Sequence, residues 1–191
     1  VAAMRLRAEN ALAGDDARRR IALDAILTQI ARLERLTGEL LTMTQQRKPA
    51  PAPIDLPAFL EATAADNRTA TSQIAVTTPP GTVTIDAPLL RRALDELLQN
   101  ALRHAPQGTA ITLEATTTPT TLRLAIADRG PGVPEPLRAT LFEPFVTGQP
   151  DGTGLGLAIA REMIETLGGH IALADTPTGA TFRIEIPCPA S

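Results

Sequence analysis

The 191-residue chain has no tryptophan and no tyrosine, and its aromatic share is only 2%. A core without large rings must be built from Leu, Ile, Val and Ala, and a hydrophobic share of 43% supplies enough of them. The single cysteine, Cys188, excludes an internal disulfide and fits a reducing compartment. It reads as a small residue near the end of a C-terminal strand. Two histidines and one cysteine cannot make a His/Cys-rich metal cage. Charge of one sign is lacking too: a net charge of −3 gives no basic face for nucleic acid. No apolar run approaches the roughly 18 residues of a membrane span, and no charged-then-apolar leader opens the chain. The segment is therefore expected in the cytoplasm without membrane contact of its own, leaving any membrane anchor to sequence upstream of residue 1.

Proline is plentiful where it matters. "RKPAPAP" (47–53) removes amide donors and favours a stiff, extended connector, which places a boundary between residues 1–46 and 54–191. In the first part, Val1, Met4, Ala8 and Ala11 fall at heptad spacing, and Gly14-Asp15-Asp16 supplies a break with Asp15 or Asp16 as N-cap. Leu23, Ile26, Ile30, Leu33, Thr37 and Leu40 then alternate three and four apart, with Leu27, Leu36 and Leu41 widening the stripe. This is more apolar surface than one short partner helix covers. An antiparallel hairpin that dimerises into a four-helix bundle would bury it; a hairpin packed on its own chain is the plainer alternative.

The second part mixes periods. Residues 57–69, 87–103 and 153–167 read as helices, the last stopped by Gly168-Gly169. Val83 and Ile85, Ile111 and Leu113, Leu122 to Ile126, Ile171 and Leu173, and Phe182 to Ile186 alternate as half-buried strands. The Thr-rich 115–121 reads as a polar hairpin turn. The expected fold class is α+β: a helical hairpin followed by an α/β sandwich, a mixed sheet with three helices on one face.

Three stretches carry chemistry. In "LDELLQNALRHAP", Leu90, Leu94, Leu97 and Ala101 share one helical face, while Glu96, Asn100, Arg103 and His104 fall in the adjoining arc. An amide oxygen suits Mg²⁺ and a guanidinium suits phosphate, although an ordinary solvated face would look the same. In "IADRGPGVP", a strand ends at Asp128, whose carboxylate can accept from an exocyclic amine, with Gly130 and Gly132 opening the backbone to a flat base. In "DGTGLGLAIA", glycines 152, 154 and 156 precede a helix whose free amides and positive end suit an anion. Between them, 133–150 is punctuated by Pro and Gly, carries Phe142 and Phe145, and reads as a lid.

In their order and spacing these stretches resemble the ATP-binding domain of sensor histidine kinases of the GHKL superfamily. "ELLQNALRHAP" resembles the N box, "DRGPGVP" the G1 box, "LFEPF" the F box and "GTGLGLAIA" the G2 box. The resemblance covers about residues 54–187; residues 1–46 resemble, less specifically, the dimerisation and phosphotransfer hairpin. It implies ATP and Mg²⁺ as cofactors, with Asn100 on the metal and Glu96 beside the metal or an activated water. Arg103 and His104 would contact phosphate or ribose. Asp128 would select adenine, Gly130 and Gly132 would shape its pocket, and Thr181 would support it through a water. Gly152, Thr153, Gly154, Leu155 and Gly156 would receive the phosphates. The implied reaction passes the γ-phosphoryl group to a histidine and then to a response-regulator partner, in a homodimer.

Two departures stand out. The family's phosphoacceptor motif, His-x-Leu-Arg-x-Pro, is absent, and neither His104 nor His170 occupies its place; a chain begun just after that motif would look like this. After "LFEPF", Val146-Thr147-Gly148 stands where a basic lid residue is common, so the phosphate clamp would lean on Arg103, Arg129 and the helix amides. Two alternatives stay open: a GHKL-type ATPase, in which an acid at the position of Glu96 activates water, and a non-catalytic nucleotide-binding dimeric scaffold.

Overall fold

The computed structural model describes residues 20, 21, 23, 26, 27, 48–69, 73–148, 152–176 and 178–188. The chain divides into two compact units, Val1–Gln45 and Gln46–Ser191. In the first, Arg20, Ile21, Leu23, Ile26 and Leu27 are helical, and Ile21, Leu23 and Leu27 are exposed. The remainder of the anticipated hairpin, including the heptad Val1 to Ala11, the break at 14–16 and the stripe from Ile30 onward, lies outside the described residues.

The second unit is built on a mixed five-stranded sheet. Its strands are β2 (Ile74–Thr77), β4 (Ile111–Thr117), β5 (Thr121–Ala127), β6 (His170–Ala174) and β7 (Thr181–Pro187), in the order β2-β4-β5-β7-β6. β2 and β4 are parallel and the other pairs antiparallel. The pairing sets Leu113 opposite Ile126, Leu124 opposite Ile184 and Ile126 opposite Phe182, and all five of these side chains are buried. Their neighbours Glu114, Arg123, Arg183 and Glu185 are exposed. One face of the sheet is thus dry and the other wet, as period-two alternation requires. Helices α1 (Leu56–Asn67), α2 (Ala87–His104) and α4 (Gly156–Thr166) supply the rest of the core, with α2 packed against α4 and both against the sheet. A single turn, α3 (Glu135–Arg138), lies between β5 and α4.

Local chemistry starts each long helix. Asp55 caps α1 by accepting from the Ala58 amide at 2.8 Å, and Asp86 caps α2 by accepting from the Leu89 amide at 3.1 Å. A proline occupies the first turn of both, where its missing N–H costs nothing. Arg91 ties the two helices together, bonding Asp66 at 2.7 Å and Asp95 at 3.0 Å, while the Asn67 amide donates to Asp95 at 2.6 Å.

Several expectations need correction. The connector at 47–53 runs straight into β1 (Ala52–Asp55), which pairs antiparallel with β3 (Thr82–Ile85) as a separate two-stranded sheet. Pro53 is tolerated because a two-stranded sheet is all edge. Strand β2 was not anticipated; it is four residues long, and prolines follow it closely. The anticipated turn at 115–121 is mostly strand. β-branched threonines 116 and 117 pair with Arg123 and Leu122, leaving Thr118 to Thr120 as the turn. Finally, α4 begins at Gly156 rather than 153, because Gly154 sits at φ +70°, outside helical space.

Candidate functional site

The anticipated site residues come from three places: the second half of α2, the end of β5 with its following loop, and the start of α4. On α2, Leu90, Leu94, Leu97 and Ala101 are all buried, as the helical arc requires. Glu96, Asn100 and His104 are half-buried and Arg103 is exposed. No hydrogen bond or ion pair engages the side chains of Asn100, Arg103 or Arg129 among the described residues. An amide oxygen and two guanidinium groups are therefore available to a ligand.

Asp128 is only 6% exposed and follows directly on β5. Its bonds run through one oxygen: Oδ1 accepts from the Gly130 amide at 2.7 Å and from the Ala180 amide at 3.3 Å. The backbone of Asp128 donates to the Ala180 carbonyl at 3.0 Å. Ala180 is adjacent to Thr181, which pairs with Ala127, so Asp128 and Thr181 meet at one end of neighbouring strands. The carboxylate is anchored by Oδ1, and its second oxygen is left to a partner.

The glycines have individual reasons. A Cβ on Gly130 would stand 2.7 Å from the His104 carbonyl oxygen, so this glycine lets the end of α2 close on the β5 loop. Gly132, at φ +77°, lies against the Gly179 carbonyl, and Gly179, at φ +69°, lies against the Asp128 carbonyl. A Cβ on Gly154 would stand 2.7 Å from the Phe145 Cα, and the Gly154 carbonyl accepts the Phe145 amide at 2.9 Å. At Gly156, a Cβ would stand 2.9 Å from Glu96 Oε2, so the carboxylate of α2 reaches the first turn of α4.

The start of α4 has no side-chain cap: Leu155 occupies the N-cap position, and Thr153 Oγ1 only accepts from the Leu155 amide at 3.3 Å. Leaving the first amides of a helix without side-chain acceptors beside a glycine loop suits an anion. Gly152, Thr153, Gly154 and Gly156 are half-buried and Leu155 is fully buried, which anchors the loop. Of the segment read as a lid, Phe142 meets Phe182 edge-on at 6.1 Å, whereas Phe145 is 62% exposed at φ 68°.

Three contributors were missed in the sequence. Arg92 pairs with Glu96, its guanidinium 2.8 Å from Oε1; an Arg four residues before a Glu on a helix was a legible signal. Gly179 and Ala180, in the "TPTGA" segment before β7, complete the seat of Asp128, and no sequence signal marks that role. His170 is exposed on β6, away from these residues in sequence and sheet position. Cys188 is buried, with its Sγ 3.3 Å from the Thr84 carbonyl, in agreement with its reading as a packing residue. Among the described residues there is no cluster of three or more His, Cys, Asp and Glu that could hold a metal, and no helix long and apolar enough to cross a membrane.

Comparison with known proteins agrees with this geometry. The chain is 31% identical over 179 residues to the probable sensor histidine kinase TcrY of Mycobacterium tuberculosis, covering 87% of this chain and 38% of that protein. It is 39% identical over 108 residues to the sensor protein DivL of Caulobacter vibrioides, covering 56% of this chain and 14% of that protein. The chain thus spans well under half the length of these relatives. Among solved structures, the mycobacterial sensor histidine kinase MprB superposes with a TM-score of 0.65 at 29% identity, over 74% of this chain and 100% of that one. Full-length ShkA, solved in complex with AMPPNP, gives 0.74 at 26% identity, over 93% of this chain and 40% of that one. Residues 85–190, more than half the chain, match the family described as histidine kinase-, DNA gyrase B- and HSP90-like ATPase. With the three sequence stretches, the seat of Asp128 and these relatives in agreement, the chain belongs to that ATPase family.

Proposed function

We propose that the chain is the ATP-binding part of a sensor histidine kinase, which passes the γ-phosphoryl group of ATP to a histidine and on to a response regulator. The observation that carries this is Asp128: a nearly buried carboxylate pinned through one oxygen, with the other free to accept the amino group of adenine. Gly130, Gly132 and Thr181 border that seat. Gly152, Thr153, Gly154, Leu155 and Gly156, with Arg103, Arg129 and His104, would take the polyphosphate. The donor set fits a magnesium ion bound through phosphate and few protein oxygens: Asn100 offers an unengaged side-chain oxygen, with Glu96 beside it. The metal would supply charge neutralisation for the polyphosphate, while the protein supplies positioning.

The reading extends to the whole chain. Residues 1–46 would form most of a dimerisation hairpin without the phosphoacceptor, 47–51 the connector, and β1 onward the catalytic domain, with three helices on one face of the sheet. Exposed Ile21, Leu23 and Leu27 on the helical N-terminal segment support pairing with a second copy. The similarly folded histidine kinase ThkA, solved in complex with the response regulator protein TrrA, supports a response regulator as partner.

Nucleotide titration with and without Mg²⁺ tests the site. The unaltered chain is expected to bind ATP, and Asn100→Ala to lose the metal dependence while keeping the fold. Mixing the chain with a separate acceptor hairpin and γ-labelled ATP should label the acceptor histidine. A folded chain with no affinity at about 1 mM ATP, the weak end of ordinary substrate affinities, defeats the proposal.

A further inference from the structure

Glu96 occupies the position from which a carboxylate could activate water in this family, yet it does not face the site unencumbered. It lies on α2 one turn before Asn100, and its side chain is only 11% exposed. Arg92, one turn earlier again, holds Oε1 at 2.8 Å. Oε2 lies against the opening turn of α4, where a Cβ on Gly156 would stand 2.9 Å from it. One oxygen is thus committed to a guanidinium, and the other faces the positive end of a helix, which favours a fixed negative charge.

We propose that Arg92 is a positioning residue that sets the reaction specificity of the nucleotide site, holding Glu96 against α4 and away from water. This rests on the nucleotide-site reading above. In the reaction it suppresses, a water oxygen bonds to the γ-phosphorus and the bond to the β–γ bridging oxygen breaks. ADP leaves with that electron pair, and the water proton passes to a carboxylate. General-base assistance is worth roughly 10²–10⁴-fold in such steps. A carboxylate with one oxygen held by a guanidinium and the other lying against the start of α4 provides little of it, so ATP survives until a histidine arrives.

The test compares the full chain with Arg92→Gln and Arg92→Lys, reading free-phosphate release from saturating Mg²⁺-ATP without acceptor and nucleotide Kd by titration. Arg92→Gln should raise phosphate release about tenfold or more, a fraction of the general-base factor, while Kd shifts much less. Adding Glu96→Gln should abolish that gain, which a purely structural role for Arg92 would not produce. Arg92→Lys keeps the charge but not the planar fork, and should fall between parent and Arg92→Gln. Should the Gln variant fail to fold, a rise in Arg92→Lys over the parent carries the inference and no rise overturns it. Unchanged release in folded variants that bind ATP overturns this inference alone. Absence of nucleotide binding by the parent overturns the nucleotide-site reading and this inference with it.

Discussion

Replacing Asp128 in two different ways separates its work in the fold from its work on a ligand. Oδ1 holds two backbone amides, those of Gly130 and Ala180, at 2.7 and 3.3 Å. In Asp128→Asn the amide oxygen can keep both bonds, which fixes the new NH2 group where Oδ2 stood. The fold should then be nearly intact, with a melting shift of about 2 °C or less. A donor now faces the amino group of adenine, so a hydrogen bond to a charged acceptor is lost. That bond is worth about 1.5–3 kcal/mol, or roughly 10- to 150-fold in Kd. Asp128→Ala instead strands both amides, costing about 2–3 kcal/mol given that one bond is long, and lowering the melting midpoint by roughly 5–10 °C. Both variants should also lose the preference for ATP over GTP, because guanine presents an acceptor where adenine has its amino group. Isothermal titration with ATP and GTP, beside thermal melts, reads all of this. If Asp128→Asn binds ATP as tightly as the parent with the same preference over GTP, Asp128 is not the adenine acceptor.

Two further outcomes follow from the geometry. Gly154→Ala forces a side chain into left-handed backbone and sets its Cβ 2.7 Å from the Phe145 Cα; it should cost about 2–4 kcal/mol and accelerate hydrogen exchange at the Phe145 amide, which bonds to Gly154. Burial, and secondarily the charge of Glu165, raises the pKa of Glu162 above 4.5 in the folded state. Its contribution to stability is therefore full below that pH and is lost as pH rises through the folded value, so Glu162→Gln should raise the melting midpoint at pH 7 and bring no gain below pH 4.5.

The sheet and α2 were legible because each buries one face and exposes the other, so alternation along β5 and β7 and the Leu90–Leu94–Leu97–Ala101 stripe appear directly in composition. β1 and β2 were not, since four residues give two buried positions at most and their neighbours are prolines. A period needs repeats to be seen. Within the site, residue types and order were legible, but pairings were not. Nothing in "TPTGA" says that its last amide will reach Asp128, since that contact depends on β5 and β7 being neighbours. The i,i+4 relation of Arg92 and Glu96 was readable from spacing alone.

The glycines of the loop before α4 show most clearly what a sequence reading leaves out. Close approach of phosphate explains why the backbone there should be bare, but the structure gives two of these glycines a prior demand from the protein itself: Gly156 admits Glu96 and Gly154 admits the backbone of Phe145. Phe145 holds φ 68°, a conformation that costs a bulky residue about 1–2 kcal/mol. It is kept there by its bond to Gly154, itself at φ +70°. Two left-handed residues, one on each side of residues 149–151, therefore hold each other in place. The loop before α4 cannot shift at Gly154 without releasing Phe145, and the 133–148 segment cannot lift at Phe145 without removing the contact that shapes the loop. An alanine at 154 breaks both at once, so its effect should appear at the Phe145 amide as well as in nucleotide affinity, whereas a glycine that served phosphate alone would change only the latter.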